Sequence, residues 1–411
     1  MIISPEILFN ILIAIVLLNF LKDSILNYLN SSYFDKEIPE LINDIYDNEK
    51  YIKSQEYKKT QYKFNRISSI FSLLILLLFF YFDGFLIIDN YSRSLFDSEL
   101  LISLSFFGII YFGNELLNIP FSIYHTFTIE EKFGFNKTTK KTYIIDKLKS
   151  WLLTILFGGG ILSFIILQFE SVGQNFWIVA WVFISALTLL LNGLYAQIIV
   201  PLFNKQTKLE DGELKSEIEK YSKKVGFNLS YIFVIDGSKR STKANAYFSG
   251  FGKQKRVTLY DTLINKLNKN QIVAVIAHEI GHYKKNHIIF NLLFSIIQTG
   301  MMLYILSLLI YMPIFSESLN IENHSFHIAL ITFSILYSPI SELSSLMFNL
   351  FSRKFEYEAD EYANTSFDGN HLIEALKILS KDSLSNLTPH PKYVWWHYSH
   401  PTLIERINQL R

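Results

Sequence analysis

Seven apolar runs, each long enough to cross a bilayer, constrain the fold of this 411-residue chain more than any other feature. A membrane-spanning helix needs about 20 mainly apolar residues, because its backbone must satisfy its own hydrogen bonds in lipid. The first run has no basic start and no small-residue cleavage site, which favours a retained anchor over a signal peptide. The runs lie at about 5–21, 67–88, 100–122, 151–168, 176–200, 289–313 and 327–350.

Basic residues alternate between the loops that join these runs. Segment 22–66 carries eight Lys or Arg and 126–150 carries six, whereas 89–99 carries one and 169–175 and 314–326 carry none. Basic loops stay on the cytoplasmic side, so we expect the N-terminus outside and the C-terminus in the cytoplasm. Seven spans agree with that arrangement.

The composition narrows the chemistry and the partners. Half of the residues are hydrophobic and 18% are charged, while the net charge of +1 gives no reason to expect nucleic acid as a partner. The chain has no cysteine, which excludes disulfides, iron–sulfur clusters and thiolate metal sites. A metal ion must therefore be held by His, Asp or Glu.

The apolar runs divide the chain into four parts. Residues 1–201 form a membrane region with five spans, and 289–350 contain spans six and seven. Segments 202–288 and 351–411 are soluble and lie in the cytoplasm. The first soluble segment predicts a helix near 209–224, strand-like runs at 231–235, 245–248 and 256–260, and a helix from about 270. We expect the second to be helical, with helices at about 351–363, at 371–380 and after Pro401.

The helix from about 270 carries a metal-binding pattern next to the sixth run. His278 and His282 are four residues apart, so both face one side of a helix and can bind one zinc ion. Glu279 between them is placed to take a proton from water activated by zinc. Gly281 would allow another element to approach this helix closely.

A catalytic zinc site uses three protein ligands and leaves one position open. Glu356 follows the seventh run, which returns the chain to the same membrane face, although Glu358 and Glu361 are alternatives. His287 is half a turn out of phase with the pair, so we expect it to face away.

Two residues near Glu356 are candidates for supporting contacts. Asp360, one helical turn after Glu356, suits a hydrogen bond to the outer nitrogen of a ligating histidine. Arg353 is a candidate for neutralising this acidic group.

Two further functions need residues outside the metal ligands. A donor must stabilise the charge that develops on the carbonyl oxygen of the substrate, and His390, His397 and His400 are candidates that spacing does not separate. The short strand with Asn245, Ala246 and Tyr247 precedes the zinc helix. An extended peptide substrate can pair with such a strand, although an ordinary sheet strand would have the same pattern.

These motifs resemble, in order, those of the type I CAAX prenyl proteases, which are integral-membrane zinc metalloproteases of the gluzincin type. The resemblance extends over nearly the whole chain. Its motifs are Ile129–Thr138, Pro201–Asn204, Asn245–Gly250, Arg256, Asp261–Leu263, His278–His282, Ser352–Asp360, His400–Pro401 and Glu405–Arg406.

The resemblance implies a role for each candidate. It selects Glu356 as the third zinc ligand, Glu279 as the catalytic glutamate, His400 as the oxyanion stabiliser and Asn245 as a contact to the substrate backbone. It also implies one zinc ion per chain, and a mainly α-helical fold in which seven transmembrane helices enclose a chamber. A cytoplasmic zinc metalloprotease domain with a small β-sheet would close this chamber.

The substrate would be a peptide or a lipidated protein that loses its last three residues after a prenylated cysteine. The end Asn408–Arg411 lacks a dilysine-type retrieval signal, which suggests a bacterial inner-membrane protein rather than one of the endoplasmic reticulum. The alternative for a bacterial protein is the processing of membrane proteins without prenyl specificity. We expect a monomer to be sufficient.

Two other classes compete with this interpretation. A bacterial stress-induced membrane zinc protease shares the zinc motifs but has about four spans, and the N-terminal helices and Glu130–Asn136 argue against it. A transporter or inactive scaffold would not need an intact set of His278, Glu279, His282 and Glu356.

Overall fold

The computed structural model describes residues 3–249 and 255–411, so Gly250 of the Asn245–Gly250 motif lies outside the described residues. The described chain is mostly helical, with one small sheet, as the sequence predicts. The helices are α1 (Pro5–Ser31), α2 (Asn48–Tyr81), α3 (Gly84–Leu95), α4 (Glu99–Tyr124), α5 (Lys140–Leu153), α6 (Gly160–Val172), α7 (Phe176–Phe203), α8 (Glu213–Lys224), α9 (Asp261–Ile264), α10 (Lys269–Lys284), α11 (His287–Leu309), α12 (Ile314–Glu317), α13 (Phe326–Ser366), α14 (Gly369–Asp382), α15 (Pro391–His397) and α16 (Leu403–Leu410). The strands are β1 (Gln206–Lys208), β2 (Tyr231–Ile235), β3 (Ala246–Ser249) and β4 (Arg256–Tyr260).

Six helical stretches in the described chain are long and apolar enough to cross a membrane. One of them, Lys140–Phe203, contains α6 and α7, which are separated by a turn at Gly173 with φ +59°. The Phe164 ring of α6 stacks on the Phe183 ring of α7 with centroids 4.0 Å apart, which shows that the two helices fold back on each other. The predicted count of seven spans depends on counting α6 and α7 separately.

The N-terminal half of α2 is joined to the soluble part of the protein. Tyr57 is almost fully buried there, and its ring packs against Phe133 and Phe135 at centroid distances of 4.9 and 5.1 Å. The Tyr57 hydroxyl donates a hydrogen bond of 2.6 Å to Glu130. The polar half of this helix therefore belongs to the soluble core, while its apolar second half remains available for the membrane.

The four strands form one sheet in the order β1-β2-β4-β3. β2 and β4 are parallel, whereas β1 and β3 pair antiparallel with their neighbours. β2 and β4 coincide with two of the predicted strands, and the third is shifted by one residue to form β3. β1 was not predicted, because a strand of three residues has too few positions to show alternation. β3 lies at an edge of the sheet, next to α10.

A buried polar cluster ties three helices together away from the sheet. His327 of α13 lies 2.7 Å from Asp89 of α3 and 2.9 Å from Ser103 of α4. Arg93 pairs with Asp89 at 3.0 Å. Because unsatisfied polar groups in lipid are costly, these mutual contacts allow charged side chains to be buried there.

The helix with the histidine pair, α10, begins and ends with clear signals. Asn268 and Gln271 form a reciprocal capping box at its start. It ends at Lys284, and Asn286 adopts a left-handed conformation with φ +61° before α11 begins at His287. The chain therefore changes direction between the histidine pair and the sixth apolar run.

The 41-residue helix α13 joins the seventh apolar run to the acidic cluster without a break. Pro339 lies inside this helix, as expected for a membrane helix whose neighbours satisfy the backbone. The sequence predicted a separate helix from Phe351, but nothing between residues 350 and 351 ends the helical backbone. A single element therefore links the membrane to Glu356.

At Gly281 the backbone of α10 comes close to the backbone of α13. A Cβ atom on Gly281 would lie 3.0 Å from the Cα of Ala359 and 3.1 Å from its carbonyl oxygen. Ala359 is itself fully buried. The predicted close approach at Gly281 is confirmed, and its partner is the helix that carries Glu356.

We predict that Gly281→Ala destabilises the protein by about 1–3 kcal/mol, because the added methyl group meets backbone atoms that cannot rotate away. The apparent melting temperature in detergent should fall by at least about 2 °C. Gly113→Ala in α4 is the matched control, since nothing lies within 4 Å of a Cβ atom at that position. Equal melting temperatures for the two variants would contradict the prediction.

Candidate active site

Three side chains from two helices converge near the C-terminal part of α13. His278 and His282 lie on α10, and their Nε2 atoms are 3.1 Å apart. Glu356 of α13 places Oε2 3.5 Å from His278 Nε2 and Oε1 3.3 Å from His282 Nε2. These three residues form a group whose ligand atoms all lie within 4.8 Å of one another.

The spacing of these atoms fits a tetrahedral metal ion. Zinc bonds to nitrogen and oxygen of about 2.0–2.1 Å place neighbouring ligand atoms about 3.3 Å apart. Two ring nitrogens and a carboxylate oxygen suit zinc better than Mg²⁺ or Ca²⁺. In addition, Oε2 of Glu356 is buried without a hydrogen-bond partner among the described residues. The residues present therefore fit a bound cation.

His278 is oriented from its outer side by a buried ion pair. Its Nδ1 atom lies 2.8 Å from Oδ1 of Asp360, as the spacing of Asp360 from Glu356 predicted. Arg406 of α16 donates two hydrogen bonds to the same carboxylate, at 2.6 and 2.8 Å. Its Nη1 atom also lies 3.4 Å from Oε2 of Glu356. The Asp360 carboxylate is thus held in place from two directions.

His282 has a separate outer partner, which the sequence placed incorrectly. The Nδ1 atoms of His282 and His287 are 3.0 Å apart, and His287 Nε2 lies 2.9 Å from Glu358. The expectation that His287 faces away is wrong, because it assumed a continuous helix through Asn286. His287 is buried and stacks on Phe355, with ring centroids 4.1 Å apart.

Glu279 faces the same group of side chains. It is partly accessible, yet burial raises the pKa of its carboxyl group above the usual value. The nearby His278 and His282 act in the opposite direction. A carboxyl group with a raised pKa is well suited to exchange protons near neutral pH.

Of the three candidate histidines in the tail, only His400 reaches the cluster. Its Nε2 lies 3.3 Å from Glu356 Oε1, and its side chain is 63% exposed. Ser399 Oγ is 2.9 Å from its Nδ1. His390 instead caps α15, and His397 packs on the Tyr393 ring at 4.6 Å.

The structure places the two arginines differently from the sequence interpretation. Arg353 lies outside the cluster, where its guanidinium donates a hydrogen bond of 2.6 Å to the carbonyl of Tyr398. It therefore supports the loop that carries His400. Arg406 is the arginine that contacts the acidic groups. The Glu405–Arg406 motif of the sequence contains this residue, although no role was assigned to it.

The predicted substrate strand borders the site. Asn245 is exposed and immediately precedes β3, which contains Ala246 and Tyr247. β3 pairs with β4 on one side only, so its other edge is open among the described residues. The open edge next to α10 can pair with an extended peptide.

A cavity of about 820 Å³ lies between the membrane helices. Glu342 of α13 lies at its wall, where it contacts Lys22 of α1 and accepts a hydrogen bond of 2.9 Å from the Trp396 indole. The Ser338 hydroxyl accepts a hydrogen bond of 3.1 Å from Asn19. The interior between the helices is therefore partly polar.

Both halves of the chain match known protein families. Residues 28–205 match the family model for the CAAX prenyl protease N-terminal region with five membrane helices, and residues 208–411 match peptidase family M48. The CAAX prenyl protease 1 homolog of Dictyostelium discoideum is 38% identical over 96% of this chain and 92% of its own length. The human homolog is 31% identical over 91% of this chain and 88% of its own length.

A solved structure shows the same fold. The crystal structure of S. mikatae Ste24p superposes with a TM-score of 0.93 at 35% sequence identity. The match covers 98% of this chain and 99% of that chain. Together with the geometry above, these matches show that the chain belongs to the type I CAAX prenyl protease family of integral-membrane metallopeptidases.

Proposed function

We propose that this membrane metalloprotease uses zinc to remove the last three residues of prenylated proteins that end in a CAAX sequence. The observation that carries the proposal is the convergence of His278, His282 and Glu356 beside Glu279. The relatives reported above carry the name CAAX prenyl protease 1 and match over nearly their whole length. That full-length match favours their substrate class over a shorter stress-induced protease.

In this proposal His278, His282 and Glu356 hold one zinc ion. The bound ion supplies Lewis-acid chemistry, since it lowers the pKa of water and polarises a carbonyl group. The two Nε2 atoms face each other at 3.1 Å, a separation that allows both to bind one cation. All three ligands come from one chain, so the site requires no second copy.

Glu279 acts as the proton carrier. It accepts a proton from the attacking water and passes it to the nitrogen of the leaving peptide. Burial raises the pKa of its carboxyl group, which favours proton uptake relative to an exposed glutamate. His400 approaches from the open side and is placed to donate a hydrogen bond to the carbonyl oxygen as it gains negative charge.

The surrounding residues set the orientation of the ligands. The Asp360 carboxylate accepts a hydrogen bond from His278 Nδ1–H, which leaves Nε2 free for the metal. Arg406 keeps Asp360 ionised and in position. Arg353 supports the same region less directly, because it bonds the backbone that leads to His400.

The substrate backbone would pair with the open edge formed by Asn245, Ala246 and Tyr247. Such pairing recognises main-chain groups and so tolerates different side chains. We place the site on the cytoplasmic face, because the basic loops lie on that side of the chain. The proposal requires only a membrane that presents its substrate on that face, either the bacterial inner membrane or the endoplasmic reticulum.

We predict that Glu279→Gln lowers kcat for a farnesylated CAAX peptide by about 10²–10⁴-fold while zinc remains bound, because the amide cannot accept the proton. Release of the C-terminal tripeptide is measured by mass spectrometry. Glu361→Gln, exposed on α13, is the matched control and should retain wild-type activity. Equal cleavage of the unmodified peptide by the wild-type protein would instead indicate a general membrane peptidase.

Metal analysis tests the cofactor directly. The purified protein should contain about one zinc ion per chain and lose activity when a chelator removes the ion. Added Zn²⁺ should restore activity, whereas Mg²⁺ should not, because two imidazoles suit zinc. A fully active protein without bound transition metal would refute the zinc proposal.

The contact between His282 and His287 predicts a loss of zinc affinity in His287→Phe. Phenylalanine keeps the stacking on Phe355 but cannot accept the His282 Nδ1–H, so affinity should fall by about 10–100-fold. Competition with a chromophoric chelator measures the affinity. Glu361→Gln should leave it unchanged. An affinity of His287→Phe within twofold of the wild type would show that His287 only fills space.

A further inference from the structure

A second pocket, of about 430 Å³, adjoins the metal cluster at His400 and Arg406. His400 and Arg406 form its boundary with the cluster, and Lys58 of α2 contributes a cation. The other polar lining residues are neutral, among them Ser380, Asn386 and Thr402. No carboxylate lines this pocket among the described residues. A pocket with cationic groups and no anion is suited to a negatively charged ligand.

Lys58 makes no direct ion pair among the described residues, unlike Lys59 and Lys132 in the same region. Lys59 pairs with Asp35, and Lys132 lies 2.6 Å from Glu56. For Lys58 the structure shows no ion pair within the described residues, and its amine lies 5.3 Å from the centroid of the Tyr57 ring. Because a partly buried cation is destabilising unless it is paired, an anion that binds in the pocket would complete this site.

The backbone at Lys58 is held firmly. Its neighbour Tyr57 is almost fully buried, and the Tyr57 hydroxyl lies 3.1 Å from Lys243 Nζ and 2.6 Å from Glu130. Lys243 is itself paired with Glu130 at 2.8 Å. The backbone position of Lys58 is therefore fixed, and it lies near the residues that lead into β3.

The direction of the edge strand determines which end of a substrate would reach this region. β3 runs from Ala246 to Ser249, and Lys243 precedes it. A peptide added antiparallel to β3, the slightly more stable pairing, would run the opposite way. Its C-terminal end would then lie beside Asn245 and Lys243, on the side of Tyr57 and Lys58.

We propose that Lys58 binds the free C-terminal carboxylate of the substrate and so fixes the distance between that carboxylate and the scissile bond. The proposal rests on the proposed function, in which the leaving fragment is a tripeptide. Three extended residues span about 10 Å, and the pocket continues from His400 to Lys58. The carboxylate would accept hydrogen bonds from the Lys58 ammonium group, while the neutral pocket residues tolerate different side chains.

The experiment compares two peptides that differ only at their last group. Both are farnesylated CAAX peptides, one with a free C-terminal carboxylate and one with a C-terminal amide. We expect the wild-type protein to cleave the acid with a kcat/KM about 10–100-fold above that of the amide, since a charge-assisted hydrogen bond is lost in the amide. Equal kcat/KM values for the two peptides would overturn the proposal.

Three variants assign the preference to Lys58. Lys58→Gln should lower kcat/KM for the acid to the value for the amide, and leave the value for the amide unchanged. Lys58→Arg should keep a preference for the acid, because it keeps the cation. Lys59→Gln, one residue away on the same helix, should retain the wild-type ratio. A wild-type ratio in Lys58→Gln would overturn the assignment.

A binding measurement separates this proposal from the proposed function. Fluorescence anisotropy with labelled acid and amide peptides is measured on Glu279→Gln and on Glu279→Gln combined with Lys58→Gln. If the wild type cleaves neither peptide but Glu279→Gln binds the acid more tightly through Lys58, the carboxylate site stands and the proposed reaction fails. If both proteins bind the two peptides equally, the carboxylate site is refuted.

Discussion

The active site depends on a backbone contact between α10 and α13 at Gly281 and Ala359. The two histidines and Glu356 belong to different helices, so they meet only if the helix backbones approach closely. A glycine at the crossing allows this distance, because any side chain there would separate the helices. The same contact joins the soluble core to the membrane region, since α13 belongs to both. The Gly281–Ala359 contact therefore contributes both to the fold and to the assembly of the site.

Around that contact the protein buries an unusual amount of charge. Arg406, Asp360, Glu356 and Glu279 lie close together, and each needs a partner because isolated charges are costly to bury. The Asp360–Arg406 pair satisfies itself with two hydrogen bonds, whereas Oε2 of Glu356 has no hydrogen bond and lies 3.4 Å from Arg406. A cation bound by Glu356 and the two histidines would supply the missing partner, so metal binding would also stabilise this region.

The sequence was informative where local pattern determines structure. Apolar runs predicted the membrane region, and the four-residue spacing on α10 predicted the facing histidines. The close approach at Gly281 also followed from composition, since glycine has no side chain. Prediction from the sequence failed where tertiary packing determines the position of a side chain. The left-handed Asn286 turns His287 toward His282, and no periodicity reveals such a break. Likewise the docking of α16 brings Arg406 rather than Arg353 to the acidic groups.

The continuity of α13 has a mechanical consequence. About 45 Å of helix separate Phe326 from Glu356, at 1.5 Å per residue. A change in tilt of about 3° at the far end would displace the Glu356 carboxylate by about 2 Å. Helix tilt responds to bilayer thickness. Because the helix with His278 and His282 packs on α13 at Gly281, such a change would move all three metal ligands together rather than separate them.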